Sequence, residues 1–309
     1  MGKLGTYKVT GIPLADRITS GNALFVSSVD GVDEITSYGS KPDRAVATID
    51  YAINNSASGD TIYVMEGHRE TINSTAALVP DVPKLSIIGI GNENNRPVIS
   101  LSTSGSNETR IGITGANTLI SNITFRANST SVGSSSVGIR IGAADITLRD
   151  CRFDHNSTLS YFANTIELAT GMHRATIQNC QFVNFGTTAQ SARAVDLSGT
   201  AVTNHLLIGN CSFTGNWSNA PVWGSTDYTA RGFRIADNHI FNNSTIGSDP
   251  CIRFPSSANI NGGAGIIHNN WCNSGASGSS TQILIAPYFR GEGNYVANSS
   301  GIKMTNFLA

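Results

Sequence analysis

The sequence predicts an all-β protein, a single-stranded right-handed parallel β-helix of about nine coils with an N-terminal capping helix. Three observations predict this fold. A seven-residue pattern recurs every 27 to 32 residues, and similar residue types occupy the equivalent positions of each copy. Only 13% of the 309 residues are charged. A solenoid fits them because each repeat buries its core only against its neighbours.

The repeat consists of six segments that align without gaps. Each has a central Asn or Asp, and an aliphatic residue stands two positions earlier. A Phe stands three positions after the centre in four segments, and Ile240 and Cys272 take that place in the other two. The segments are LISNITF (119–125), TLRDCRF (147–153), TIQNCQF (176–182), LIGNCSF (207–213), RIADNHI (234–240) and IIHNNWC (266–272).

Each column of the repeat has a physical explanation. Alternation on both sides of the centre indicates short strands with one buried face. Asn and Asp tolerate the left-handed backbone conformation, so their column marks a tight bend between two strands. We therefore expect Asn122, Asp150, Asn179, Asn210, Asp237 and Asn269 to align along the axis. The Phe column should lie inside the coils: Phe125, Phe153, Phe182 and Phe213.

Upstream of the repeat, KPDRAVATIDYAINN (41–55) is typical of an amphipathic helix. Asp43 is a plausible start signal for it, and a helix here would cover the open first coil. The apolar stripe consists of Ala45, Ile49, Ala52 and Ile53.

These patterns divide the chain into three parts. Residues 1–40 show no repeat and are expected to form an attachment arm. Residues 41–297 form the β-helix, with its capping helix near 43–55, and residues 298–309 form a tail.

Composition excludes several classes of partner. The formal net charge of −1 lacks the basic footprint that nucleic acid requires. The apolar runs are too short for a transmembrane helix, and the N-terminus has no visible signal peptide, so we expect synthesis in a cytoplasm. The Asn-x-Ser/Thr sequons are interpreted mainly as turn residues.

One outward column could carry chemistry. Glu167 and Asp196 are each flanked by inward aliphatic residues on neighbouring coils, about 5 Å apart, as in a retaining glycosidase. Arg140 occupies the same column one coil earlier. A ladder of surface charges explains this set more simply than catalysis. We therefore predict no catalytic residues, with Glu167 and Asp196 as the candidates if the protein is an enzyme.

The remaining reactive residues are predicted to be structural. Cys151, Cys180 and Cys211 follow the central Asn or Asp directly and should stack as small core residues. No clustered spacing suggests a metal or cofactor site. Asp30 and Asp33 could bind calcium but are better explained as a solvated loop. The aromatic residues Trp217, Trp223 and Tyr228 are expected in a wide loop packing over the coil, with sugar stacking as the alternative.

The segment from Ala45 to Asn55, the following GDTIYVMEGHRET (59–71) and the recurrent I-x-N-C-x-F coils resemble the pectin-lyase-like superfamily of β-helices. The resemblance covers roughly residues 41–297. The Arg-rich and Asp-pair motifs of pectate lyases and polygalacturonases are absent. More narrowly, the segment from Gly21 to Asn55 is similar to β-helical proteins of tailed bacteriophages, which are trimeric tailspikes or capsid decoration proteins.

The resemblance implies a function. The first hypothesis is a structural virion protein without enzymatic activity, a homotrimeric decoration or cement protein on the capsid surface. It would bind the major capsid protein or another shell protein through residues 1–40. The alternative is a tailspike that binds or depolymerises a host surface polysaccharide, as a lyase or glycoside hydrolase. A surface glycan is thus a further expected partner.

Overall fold

The structure is a computed structural model, and it describes the chain in fifteen ranges. These are residues 21–34, 39–73, 78–102, 109–128, 137–155, 162–169, 173–184, 192–197, 202–224, 229–243, 250–254, 265–274, 283–284, 289–298 and 301–307.

The described residues form one short helix and many short strands. In chain order they are β1 (Ala23–Val26), α1 (Ile49–Asn54), β2 (Thr61–Val64), β3 (Arg69–Ile72), β4 (Ser86–Gly89), β5 (Val98–Leu101), β6 (Thr109–Ile113), β7 (Leu119–Ser121), β8 (Thr124–Ala127), β9 (Val137–Ile141), β10 (Thr147–Arg149), β11 (Arg152–His155), β12 (Asn164–Leu168), β13 (Thr176–Gln178), β14 (Gln181–Asn184), β15 (Arg193–Leu197), β16 (Val202–Asn204), β17 (Leu207–Gly209), β18 (Ser212–Gly215), β19 (Val222–Gly224), β20 (Thr229–Arg231), β21 (Arg234–Ala236), β22 (His239–Asn242), β23 (Ile252–Arg253), β24 (Gly265–His268), β25 (Trp271–Ser274), β26 (Ile283–Leu284), β27 (Phe289–Asn298) and β28 (Gly301–Phe307).

The strands form an all-β parallel solenoid with three stacks. The first stack runs β1, β2, β4, β7, β10, β13, β17, β21, β24 and β27. The second runs β3, β5, β8, β11, β14, β18, β22 and β25 and ends on the second half of β27. The third runs β6, β9, β12, β15, β19, β23 and β26. Its seven strands define about six turns with all three stacks described; nine coils remain a prediction.

The tight bend between the first and second stacks confirms the predicted Asn/Asp column. All six central residues have φ between 52° and 59°, the left-handed conformation. Each of the first five donates its backbone N–H to the carbonyl of the residue before the next member of the column. Asn179, for example, bonds to the carbonyl of Gly209, beside Asn210, at 3.1 Å. The side chains also connect, with 2.8 Å from Asn210 Nδ2 to Asn179 Oδ1.

A second left-handed column stands five residues earlier in each coil, before the first stack. Its members are Lys84, Asn117, Asp145, Arg174 and His205, with φ of 56° to 61°. Gly232 continues it with φ of 62°. The sequence analysis missed this turn because its residue types differ from coil to coil.

The Phe column lies inside the solenoid, as predicted. Phe125, Phe153, Phe182 and Phe213 are each at most 1% exposed. Their rings stack with centroids 5.4, 4.8 and 4.6 Å apart, and the planes become nearly parallel toward Phe213. Like residues therefore stack over like residues because the register is in phase from coil to coil.

The helix is shorter than predicted and begins later. It starts at Ile49, where the Thr48 hydroxyl accepts the backbone N–H of Tyr51, and not near Asp43. The preceding residues are extended, because Val46 bridges to Val26 and exchanges backbone hydrogen bonds with Phe25 and Ser27. The helix packs on β1 and β2 with three buried residues, Ile49, Ala52 and Ile53.

Part of the segment expected as an arm lies in the first stack. β1 pairs in parallel with β2 along all four residues, and Val26 is fully buried. Residues 1–20 lie outside the described residues. At the other end, β28 pairs antiparallel with β27, within the segment expected as a tail. Across the described part of the chain, no helix has the length and apolar character needed to cross a membrane.

Candidate functional site

The outer face of the third stack carries the column that the sequence singled out. Strands β9, β12 and β15 direct aliphatic residues inward, which leaves Arg140, Glu167 and Asp196 outward. These three residues are direct register partners on successive coils. The predicted column is therefore confirmed, but Asp196 is buried and is not the surface charge that was expected. The register extends the column to Trp223 and Arg253.

Both carboxylates of the ladder are paired within the chain. Arg140 Nε lies 3.3 Å from Glu167 Oε1, and the Glu167 side chain is 23% exposed. Asp196 is almost completely buried, with 1% of its side chain exposed. Its Oδ2 accepts hydrogen bonds from Arg193 Nη1 at 2.8 Å and from Asn164 Nδ2 at 2.7 Å. Glu167 is thus the carboxylate of this pair that solvent reaches.

A local irregularity brings Arg193 onto Asp196. The backbone N–H groups of Ala192 and Arg193 both donate to the carbonyl of Ala163, and those of Ala194 and Val195 both donate to Pro221. The pairing of β12 with β15 nevertheless stays one residue to one through this stretch. The period of two would direct Arg193 inward, like Val195 two residues later, yet its guanidinium reaches the outer face.

The environment raises the pKa of Glu167. Burial is the largest cause, because it disfavours the charged carboxylate. Arg140 opposes this effect, whereas the nearby charge of Asp196 adds to it. A carboxyl whose pKa is raised beside a second carboxylate is the pattern found in acid catalysts.

Trp223 belongs to this face, not to a loop. The guanidinium of Arg193, from the coil before, lies 4.7 Å from its ring centre, and that of Arg253, from the coil after, lies at 4.4 Å. These distances are within cation–π range. Sequence reasoning missed Arg193 and Arg253 as members of the site. The column register could have revealed Arg253, but only the side-chain contacts with Asp196 and Trp223 reveal Arg193.

The structure distributes the other aromatic candidates differently. Trp217 is 1% exposed and belongs to the core, with its backbone N–H bonded to Asn242 Oδ1 at 3.1 Å. The loop expected to carry Trp217 and Trp223 is thus partly core and partly strand. Tyr228 lies outside the described residues.

The cysteines pack in the core as predicted. Cys151, Cys180 and Cys211 are free thiols, each at most 2% exposed, and each Sγ contacts a backbone carbonyl of the preceding coil at 3.6 Å. Burial is the largest cause that raises the pKa of Cys180.

The Asp33 carboxylate has a structural role. Its oxygens accept the backbone N–H groups of Ala47 and Thr48 and the Thr48 hydroxyl, at 2.7, 3.1 and 2.9 Å. It therefore holds the start of α1 while remaining exposed, as a loop residue was expected to be. Within the described ranges, no three His, Cys, Asp or Glu residues cluster as a metal site would require.

No protein-family model matches this sequence, and no curated protein is similar to it in sequence. Solved structures are similar in fold. Pectate lyase Pel9A aligns over 92% of this chain and 79% of its own, with 14% identity and a TM-score of 0.56. Pectin methylesterase PemA from Erwinia chrysanthemi aligns over 94% of both chains, with 15% identity and a TM-score of 0.53. A rhamnogalacturonan lyase aligns over 82% of this chain and 69% of its own, with 13% identity and a TM-score of 0.53.

These likenesses show the fold: a pectin-lyase-like right-handed parallel β-helix. The neighbours are polysaccharide-acting enzymes by name, but fold similarity at such identity does not transfer an activity.

Proposed function

We propose that the protein acts on a polysaccharide at the outer face of the third stack, with Glu167 as its proton donor. One observation carries the proposal: Glu167, whose pKa is raised by burial, is a direct register partner of the buried Asp196. The fold neighbours named above support the substrate class. The chain's own cluster supports the site.

The two carboxylates have different roles in this proposal. Asp196 is too buried to reach a sugar, and Arg193 and Asn164 hold it in place. Its negative charge adds to the effect of burial in raising the pKa of Glu167. Glu167 donates that proton to the glycosidic oxygen as the bond to the anomeric carbon breaks. Water then adds its hydroxyl to that carbon and returns a proton to Glu167, which completes hydrolysis.

The ladder also provides binding groups along the solenoid axis. Arg140, Trp223 and Arg253 stand on coils before and after the carboxylate pair, so an extended chain lying along the axis would meet them in turn. Hydrogen bonds from guanidinium groups to hydroxyl or carboxylate oxygens would fix its position.

The test is a screen of purified protein against pectin, alginate and capsular polysaccharides, with new reducing ends as the readout. Glu167→Gln keeps the shape of the side chain but carries no transferable proton, so cleavage should fall at least about 100-fold. Asp237→Asn is the matched control, because Asn occupies that turn column at other coils. Absence of cleavage, or equal cleavage by Glu167→Gln, would refute the proposal. An unsaturated product would indicate a lyase instead of a hydrolase.

A structural virion role is the second candidate. The pairing of Glu167 with Arg140 and of Asp196 with Arg193 favours it, because neutralised carboxylates suit a static ladder. In this proposal a homotrimer decorates the capsid of a tailed bacteriophage and binds the shell through residues 1–40. The nine-coil rod would be closed by α1, whose buried face packs on β1 and β2.

Attachment to the particle tests the second candidate. Deletion of residues 1–20 spares β1, whereas a longer deletion would expose the edge of β2. Light scattering should show a trimer for the full chain, and the shortened chain should fold but no longer bind phage particles. A stable monomer, or unchanged binding after the deletion, would count against this role.

A further inference from the structure

The outer face of the second stack changes character along the axis. In β8 and β11 it carries Arg126, Arg152 and Asp154, which form ion pairs of 3.4 and 2.6 Å. From β14 to β27 the outward residues are the first and third of each four-residue repeat, two on each of five coils. None of these ten residues is Asp, Glu, Lys or Arg.

This face, which lacks Asp, Glu, Lys and Arg but includes the exposed His239, combines exposed aromatic and polar side chains. Trp271 and Tyr295 stack in one column, with centroids 5.8 Å apart and planes inclined by 23°, and Tyr295 is 43% exposed. Phe241 lies half-buried in the parallel column, on the coil before Trp271. Gln181, Thr214 and Asn273 are exposed or half-buried amide and hydroxyl groups on the same coils. The inward residues between them are buried, so the face is a regular sheet surface.

The size of the face argues against a protein partner. Five strands at ~4.8 Å and four residues at ~3.3 Å give about 300 Å². A stable protein–protein interface needs about 800 Å² on each partner. A flat strip of this area, with aromatic rings and hydrogen-bonding groups, instead suits a short length of a sugar chain, whose C–H faces are apolar and whose edges carry hydroxyls.

The absence of Asp, Glu, Lys and Arg from these ten positions selects the type of glycan. An acidic polysaccharide would lose hydration of its charged groups here and meet no Lys or Arg in exchange, which is unfavourable. A neutral glycan loses nothing of that kind. We propose that the outer face of β14, β18, β22, β25 and β27 is a second glycan-binding surface, specific for neutral sugar chains and separate from the third stack.

This inference does not depend on the proposed activity. Native electrophoresis through gels that contain a neutral glucan, galactan or mannan tests it, with polygalacturonate as the acidic comparison. At least one neutral polymer should retard the protein. Tyr295→Ala and Phe241→Ala should each weaken this retardation about tenfold, the effect of losing one aromatic contact. Val29→Ala, at a side chain 74% exposed on the N-terminal loop, is the control and should not change it.

A second variant tests the charge argument without removing an aromatic ring. Asn273→Lys places a cation on the face at an outward position, so it should weaken retardation by the neutral polymer and create retardation by polygalacturonate. Retardation of the parent by polygalacturonate alone would overturn the inference. So would loss of retardation in Glu167→Gln but not in Tyr295→Ala, because the glycan would then bind the third stack. A change of oligomeric state in Tyr295→Ala would identify the face as a contact between copies and would also overturn it.

Discussion

The middle coils and the last coils fill the same interior column with different chemistry. In the middle coils the residue after the Asn/Asp turn is Cys151, Cys180 or Cys211. Each Sγ lies 3.6 Å from a carbonyl of the preceding coil and 3.3 Å from the carbonyl two residues before it. In the last coils the residue after the turn is Asn238 or Asn270, both completely buried. Asn270 Oδ1 accepts the backbone N–H and Nδ2 of Asn238 at 3.1 and 2.9 Å. The Phe stack ends where this amide ladder begins.

The difference shows that one position in a solenoid can be stabilised in two ways. A thiol needs no strong partner, so the middle coils depend on the volume of the stacked rings beside it. A buried amide must be fully bonded, so the last coils depend on an unbroken ladder. Removing volume should therefore be most costly in the middle, and removing a hydrogen-bonding group should be most costly at the end.

Phe182→Ala should have the largest effect. Phe182 is 1% exposed and stacks between Phe153 and Phe213 at 4.8 and 4.6 Å. Emptying that place should lower the free energy of unfolding by about 3–5 kcal/mol. Urea unfolding measures it, and Val183→Ala, outward on the same strand, is the control that should change stability by less than about 1 kcal/mol. A Phe182→Ala protein as stable as that control would refute ring volume as the support of the middle coils.

Asn270→Ala should come next, with a loss of about 2–3 kcal/mol, because it leaves the backbone N–H of Asn238 without its acceptor and removes one of the donors to Asn294 Oδ1. Asn270→Cys places the residue type of the middle coils in the last coils. It should be no more stable than Asn270→Ala, since a thiol cannot replace the hydrogen bonds to both Asn238 and Asn294. Asn273→Ala is the outward control. If Asn270→Cys recovered full stability, the two halves of the column would be interchangeable and the comparison would fail.

Much of this comparison could be predicted from the sequence, and the reasons are physical. The strand, turn and Phe columns were predictable because stacking imposes the same requirement on every coil. The same residue type therefore occurs at Asn122, Asn179 and Asn210. The second turn column was not, because the left-handed conformation there is adopted by residues as different as Lys84, Asn117 and Arg174. The start of α1 was missed because Ala45 and Val46 are buried by extended pairing, which leaves the same apolar pattern as a helix.

The candidate site was predictable only in part. Alternation placed Glu167 and Asp196 outward on neighbouring coils, and the register confirms it. Alternation alone could not reveal that Asp196 is buried or that Arg193 reaches it, because the Arg193 guanidinium lies against a residue three positions along the strand. Nor could alternation show that the Trp223 ring is contacted by Arg193 from the coil before and by Arg253 from the coil after.

A pH titration probes a third interior column, in which His155 is a direct register partner of Asn184. His155 is 2% exposed, its Nε2 lies 3.1 Å from the Thr165 hydroxyl, and burial lowers its pKa to about 3. In the unfolded chain the pKa is about 6.5, so between pH 6.5 and 3 the unfolded state binds a proton that the folded state does not. The contribution of neutral His155 is therefore complete above pH 6.5 and is lost as the pH falls through that window, by up to about 1.4 kcal/mol per unit.

Between pH 7 and pH 5 the parent should thus lose about 2 kcal/mol through this residue alone. His155→Asn is the matched variant, because it places in the middle coils the amide that Asn184 and Asn242 already supply on later coils. Its unfolding free energy should depend less steeply on pH than that of the parent over the same range, as urea unfolding at several pH values would measure. If the unfolding free energies of the parent and of His155→Asn had the same slope against pH, His155 would be protonated in the folded protein. The middle coils would then tolerate a buried charge, which stacked rings and thiols are poorly suited to stabilise.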